Sequence, residues 1–300
     1  MVEFLKLLIQ PITMKWRCNM KNEILKTSPI HSQIKDTNWD SIVVSISGGK
    51  DSCALLWWAL ENFPKEKLVA VHSIIDIDWD ETLPIVKKQC EFFGIELITV
   101  QAIDKHGNTK GFLDQLTSPR VNRKTGKIGQ YKFPDMGNRW CTSVLKTGPI
   151  DKYCRSLHGN ILCLIGERRE ESSNRAKLEA VRPDTKNSKN GRTVVKYSPI
   201  LDLTEKQVWA LLEVENIPVH PCYKLGVKRA SCAICIFSSD REIAIAATHA
   251  PHIVKKYIEA ENKIEHSFKY KPATKKRGVI KKTIADILRE QGIELERKSV

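Results

Sequence analysis

Residues Ser41 to Ser52 read SIVVSISGGKDS, and the rest of the chain is placed by reference to them. Ile42, Val43, Val44 and Ile46 make a short β-branched run, the composition of a buried strand. Ser47, Gly48 and Gly49 stop that run, and Asp51-Ser52 open CALLWWAL, which predicts a helix. Two glycines let the backbone turn tightly and bring its N–H groups close to an anion. The first helical turn adds unpaired donors and the positive end of the helix dipole. Lys50 supplies a full charge, and Ser47 and Ser52 supply hydroxyls. Ser47, Gly48, Gly49, Lys50, Asp51 and Ser52 are therefore read as a phosphate cradle. The spacing matches neither a Walker loop nor a dinucleotide GxGxxG fingerprint.

Strands and helices alternate outward from this point. Leu68 to Ile75 predicts a second buried strand, Glu81 to Phe93 a helix, and Ile95 to Val100 a third strand. Ile161 to Ile165 predicts another strand, ending at Gly166. The expected fold is α/β, a parallel sheet with helices on both faces, Rossmann-like. Ligands in such sheets sit beyond the carboxyl ends of the strands, which gathers Ser47–Ser52 and the Ser73 to Asp80 turn, with Asp76 and Asp78, around one crevice. Residues 104–139 and 183–192 read as loops, the first long enough to be functional. Helices are expected over Thr204 to Asn216, with Thr204 as N-cap, over 241–265, and over Thr283 to Gln291.

The 300 residues carry a net charge of +14, unevenly spread. Residues 105–155 hold 11 Lys/Arg against 3 Asp/Glu, and residues 271–300 hold 9 against 4, so the remainder is nearly neutral. Concentrated positive charge suits a polyanionic partner, of which nucleic acid is the foremost; a solvated face is the alternative. Nine cysteines without a secretory signal point to a reducing, cytoplasmic setting with metal-binding or catalytic thiols. No run approaches the ~18–20 apolar residues of a membrane span, so no membrane association is expected. Met20 is an alternative start, which would make residues 1–19 peripheral.

Three further segments carry chemistry. Arg139-Trp140-Cys141 is followed by Lys146. Gly166-Glu167-Arg168-Arg169-Glu170-Glu171-Ser172, with Arg175 beyond, follows a strand. Tyr197-Ser198-Pro199-Ile200 precedes Thr204, Val208 and Trp209. Together with SGGKDS, in this order over roughly residues 41–222, they resemble the phosphoadenosine phosphosulfate reductase superfamily. The resemblance implies an adenine nucleotide alpha-hydrolase-like fold and an ATP-pyrophosphatase that cleaves ATP between its α and β phosphates. Lys50, Asp51, Lys146, Arg168 and Arg169 are the expected catalytic residues, and Ser47, Gly48, Gly49, Lys50, Asp51, Ser52, Ser73 and Gly166 the expected nucleotide-binding ones. Arg168 and Arg169 can clamp phosphates bidentately, or pair with Glu170 and Glu171. Asp51 can hold Mg²⁺ on phosphate oxygens, or cap its helix.

Cys222, Cys232 and Cys235 are spaced C-x9-C-x2-C, and Cys141 is the natural fourth ligand. An all-thiolate set suits Zn²⁺ or an iron–sulfur cluster, and spacing alone does not choose. One cysteine after Arg-Trp and three nearer the C-terminal side resemble the ATP-pyrophosphatases of Dnd-type DNA phosphorothioation. That resemblance implies a [4Fe–4S] cluster, a cysteine desulfurase as sulfur donor, other sulfur-modification partners and a nucleic-acid acceptor, with DNA preferred. No cysteine follows Cys235, so reduction through a mobile C-terminal thiol is not expected. Cys53, Cys90 and Cys163 sit in apolar segments and are expected in the core; Cys18 and Cys154 have no assigned role. The expected organisation is an N-terminal extension over 1–38, an ATP-pyrophosphatase domain over 39–218, and a cysteine-rich module with a basic helical tail over 219–300. Rival readings are a tRNA thiolation enzyme, a sulfate-assimilation enzyme, and a metal-stabilised nucleic-acid-binding protein whose nucleotide site is regulatory.

Overall fold

Ile42, Val43 and Val44 of strand β1 (Ser41–Ser45) are at most 1% exposed, because the strand is paired on both sides. In the computed structural model, which describes residues 14–121, 125–126, 128–130, 132–271, 278 and 280–294, β1 is central to a six-stranded sheet. The other strands are β2 (Leu68–Ile74), β3 (Leu97–Gln101), β4 (Asn160–Leu164), β5 (Val181–Pro183) and β6 (Thr193–Tyr197), in the order β3-β2-β1-β4-β6-β5. The β1–β2, β1–β4 and β4–β6 pairings are parallel, with Val44 opposite both Ala70 and Leu164. Strand β5, at the edge, is antiparallel to β6. Strand order runs outward from β1 to β3, then restarts on the other side of β1 with β4. The carboxyl ends of β1 and β4 therefore flank a topological switch point.

The chain divides into two compact units that interleave in sequence. The first comprises residues 1–71, 85–98 and 154–219, and the second 72–84, 99–153 and 220–300. The segment 219–300 expected as a separate module thus shares its unit with two earlier segments. Helices α1 (Met14–Thr27), α2 (Lys50–Asn62), α3 (Thr82–Phe93), α4 (Gly148–Ser156) and α5 (Glu205–Val214) alternate with the strands. The first unit's core is built on Ile24, Ile42, Val44, Leu55, Trp58, Leu162, Tyr197 and Leu211. The described part of residues 1–38 is built into it: Ile24 of α1 is fully buried, and Trp58 Nε1 donates to Ser28 O at 2.7 Å. Residues 1–13 lie outside the described residues. Cys53, Cys90 and Cys163 are buried as expected, and Cys154 lies with its sulfur 3.3 Å from that of Cys163.

The second unit has its own core, in which Phe112, Trp140, Phe133 and Tyr257 form an aromatic cluster. Phe112 stacks on Trp140 and on Tyr257 at 5.2 Å between centroids in each case. The expected loop over 104–139 supplies much of this, with a helical turn at Phe112–Thr117 and a short hairpin of Pro119–Val121 with Ile128–Gln130. Its buried aromatics are irregularly spaced, which hides them from periodicity. The single helix expected over 241–265 is two, α6 (Asp240–His249) and α7 (Pro251–Ile264). Pro251 has no N–H to continue the helix, so Ala250 leaves helical geometry and α7 restarts with proline at its first position. Helix α8 (Ile284–Glu290) follows, capped by Thr283. Parts of the basic tail, residues 272–277, 279 and 295–300, lie outside the described residues. Among the described residues, no helix is long and apolar enough to cross a membrane.

Candidate nucleotide and cysteine sites

In the first unit, β1 ends in a turn whose backbone only glycine adopts cheaply. Gly48 has φ +78°, in the left-handed region. Its carbonyl accepts from Gln89 Nε2 at 3.2 Å, and the same buried amide donates to Pro218 O at 2.8 Å, pinning the turn from α3. Ser52 Oγ accepts from Ser47 N–H at 3.1 Å and donates to Gly49 O at 2.9 Å, folding the loop back over the first turn of α2. Gly166, just past β4, packs against this turn. A Cβ there would lie 3.1 Å from Asp51 O and 3.2 Å from Ser52 Cα. The glycine thus allows the β4 end and the α2 N-terminus to approach across the switch point.

Charge is concentrated on the same turn. Lys50, with a side chain 4% exposed, places Nζ 3.3 Å from both Asp51 Oδ2 and Glu205 Oε1. Arg168, equally buried, bonds Asp51 Oδ1 through Nε and Glu170 Oε2 through Nη1 at 2.7 Å. Burial opposes the Arg168 charge, yet Asp51, with its hydrogen bond, and Glu170 hold the guanidinium pKa above its usual value. Glu170 is held below the usual carboxylate range by the Glu205 N–H and by Arg168. Both oxygens of Asp51 therefore face cations. That arrangement does not fit a further dication at Asp51 while Lys50 and Arg168 stay in place, so these two side chains, rather than Mg²⁺ on Asp51, supply the positive charge of the turn. Arg169 is turned elsewhere, to Asp202 at 2.6 Å and to the carbonyls of Ala176 and Leu178. The structure thus gathers Ser47, Gly48, Gly49, Lys50, Asp51, Ser52, Gly166 and Arg168, but not Arg169. Glu205 and Gln89 are additions to the expected set. Glu205 looks in sequence like an ordinary first-turn acid after its Thr204 cap, and Gln89 like any polar residue of a helix.

Ser73, Lys146 and the four cysteines belong to the second unit. Ser73 Oγ donates to Leu145 O at 2.7 Å, tying β2 to a π-helical turn, Thr142–Thr147. Lys146 lies in that turn beside Cys232, Asp78 and Cys235. Burial disfavours its charge, but the Cys232 sulfur, Asp78 and Cys235 together hold its pKa above normal. Burial also pushes the Cys141 and Cys232 thiols up; Cys235 acts in the same sense on both, and Lys146 in the opposite one. Residues 77–78 pair with 232–233 through an isolated antiparallel bridge, Ala233 N–H donating to Ile77 O at 2.9 Å. Cys222 is buried in the same core, its N–H donating to His220 Nδ1 at 3.1 Å. Cys141, Cys232 and Cys235 thus share one neighbourhood. Among the described residues, no group of three or more His, Cys, Asp or Glu side chains is placed to hold a metal ion as it stands.

Sequence and structure comparisons find similar proteins. The profile of the phosphoadenosine phosphosulfate reductase domain matches residues 41–238. An uncharacterised protein of Methanocaldococcus jannaschii is 26% identical over 195 residues, 65% of this chain and 36% of that protein. The adenosine 5'-phosphosulfate reductase of Neisseria meningitidis serogroup A is 34% identical over 109 residues, 36% of this chain and 41% of the reductase. The chain spans well under half the length of these two relatives. Among solved structures, the U34-tRNA thiolase NcsA of Methanococcus maripaludis, with its [4Fe–4S] cluster, aligns with a TM-score of 0.46 at 15% identity, covering 84% of this chain and 81% of the thiolase.

Proposed function

Because the chain belongs to the phosphoadenosine phosphosulfate reductase domain family, we propose that it is an ATP-pyrophosphatase which activates a nucleic-acid acceptor for sulfur incorporation, as in DNA phosphorothioation. The observation that carries this reading is Lys50. A lysine whose side chain is 4% exposed stands at the N-terminus of α2, directly after a left-handed glycine turn, with Arg168 across the same carboxylate. Two buried cations and a helix N-terminus form an electrostatic clamp for a polyphosphate. An acceptor oxygen attacks the α-phosphorus, the bond to the bridging α–β oxygen breaks, and pyrophosphate leaves carrying the electron pair. Lys50 and the loop amides face the charge that develops on it. Asp51 orients both cations. The outer sulfur of a cysteine persulfide, supplied by a cysteine desulfurase, then displaces AMP, which carries away the acceptor oxygen. A thiol reductant cleaves the resulting disulfide to leave one sulfur on the acceptor.

A [4Fe–4S] cluster on Cys141, Cys222, Cys232 and Cys235 is part of this proposal. Four thiols are a fitting donor set for it, with Zn²⁺ the alternative, and metal binding itself draws such ligands together. When bound, the cluster would supply a sulfur-binding or electron-transferring centre in the second unit. Independently of it, the Lys146 side chain lies beside Cys232 and Cys235.

The test is product analysis of ATP turnover with single-stranded DNA and a sulfur donor. AMP and pyrophosphate are expected, and Lys50→Ala should slow turnover by about 10²-fold or more, the size of losing one preorganised electrostatic stabiliser. ADP and phosphate as the products would refute the assignment.

A further inference from the structure

Phe237 is 38% exposed at the tip of a turn, where polar residues are the usual choice. The turn is rigidly made. Ser238 N–H donates to Cys235 O at 2.8 Å, Ser238 Oγ accepts from Cys235 N–H at 3.1 Å, and Lys269 Nζ holds Ser238 O at 3.2 Å. Two exposed arginines lie over the ring in cation–π contact. Arg139 places Cζ 5.0 Å from its centroid, and Arg229 places Cζ at 5.8 Å. Glu242 on α6 braces the stretch that carries Arg229 and Phe237, accepting from Lys228 N–H at 3.0 Å and from Ser239 N–H at 2.8 Å. The surrounding unit holds 27 Lys/Arg against 17 Asp/Glu, a net +10 of the chain's +14. A fixed, solvent-facing aromatic ring flanked by guanidiniums on a basic unit has the composition of a base-stacking platform, in which the ring takes a base and the cations take phosphates.

We propose that Phe237, Arg139 and Arg229 form a contact site for an unstacked base of single-stranded nucleic acid. A base displaces an arginine from the face of Phe237 and stacks there, and the two exposed guanidiniums take the adjacent phosphates. The proposal rests on the reading that the acceptor is nucleic acid and deepens it, since the site binds a strand whose bases are open, not a closed duplex. It also places the strand two residues from both Cys141 and Cys235 along the chain, through Arg139 and Phe237.

Binding is measured by fluorescence anisotropy with labelled thymidine DNA and uridine RNA strands of about 12 nucleotides, and with a DNA duplex of the same length. Phe237→Ala should weaken binding to at least one of the single strands by about tenfold or more, and change duplex binding less than about twofold. Phe237→Trp should restore the parent affinity. Arg139→Ala and Arg229→Ala should each lower the log–log salt slope on the single strand by about 0.7. Single-strand affinities of Phe237→Ala within about twofold of the parent, or an equal loss on duplex, would overturn the proposal. Pyrophosphate release is followed on the same samples. If the parent protein releases none while binding still depends on Phe237, the ATP reading fails and the stacking site stands.

Discussion

Lys50 and Arg168 are each 4% exposed, yet Glu205 and Glu170, which complete their pairings, are 53% and 54% exposed. A buried cation paired with an exposed carboxylate readily changes partner, because the carboxylate can return to water at little cost. A polyphosphate offers several charge-assisted acceptors at once and would take the place of Glu205 on Lys50. Glu205 is then a competitor for the nucleotide, unlike Asp51, which faces both cations. Glu205→Gln should tighten ATP binding by about two- to fivefold, the scale of an exposed ion pair. Isothermal titration calorimetry reads this directly. Weaker ATP binding in the variant would mean that Glu205 orients Lys50.

At the scale of elements, Glu261 joins three pieces of the second unit. It sits in α7, 6% exposed, and accepts the Phe268 N–H at 2.6 Å and the Ile284 N–H at 2.9 Å, the latter at the start of α8. Glu261→Ala orphans both buried donors and should cost roughly 2–4 kcal/mol in urea unfolding of the full chain. Burial raises the Glu261 pKa above its usual range despite those two bonds. The folded state therefore binds the proton more tightly than the unfolded one. The stability this supplies is fully present below the unfolded-state pKa and is lost as pH rises through the folded value. The gap between parent and Glu261→Ala should accordingly narrow from acid to neutral pH, and a widening gap would contradict the burial argument.

Elements of this kind differ in how far the sequence discloses them. The β1–loop–α2 corner is legible because a β-branched run, two glycines and a long apolar helix each signal the same thing locally. Strands β5 and β6 are not: Val181–Pro183 is too short to show a period, and Thr193–Tyr197 follows a polar loop without alternation. The split between α6 and α7 is signalled by Pro251 but outweighed by continuous helical periodicity. At the site, Lys50, Asp51 and Arg168 are legible from residue type and position after a strand. Glu205 and Gln89 are not, since their roles arise only when distant segments meet. The cysteine segments are legible as chemistry, whereas their spatial relation depends on how three separate stretches of chain pack.

For the whole molecule, the two units carry unlike loads. The first holds the Ser47–Ser52 glycine turn with a net charge of +4, and the second holds the four proposed ligand cysteines with +10. Protein purified without oxygen should contain about four irons and four sulfides per chain, and Cys222→Ser should lose them. Elemental analysis and the visible absorption spectrum measure this independently of turnover. One zinc and no iron would replace the cluster with a structural metal.

The interleaving of the units also sets an order of events during synthesis. Segments 72–84 and 99–153 leave the ribosome well before residues 220–300, with which they share a core. All three pieces of the first unit have emerged once residue 219 is out, so that unit can close on its own schedule. Ile75, Phe112, Trp140 and their neighbours must meanwhile wait, apolar and uncovered, for partners still being translated. That interval, rather than any weakness of the finished protein, is where aggregation and chaperone dependence would arise.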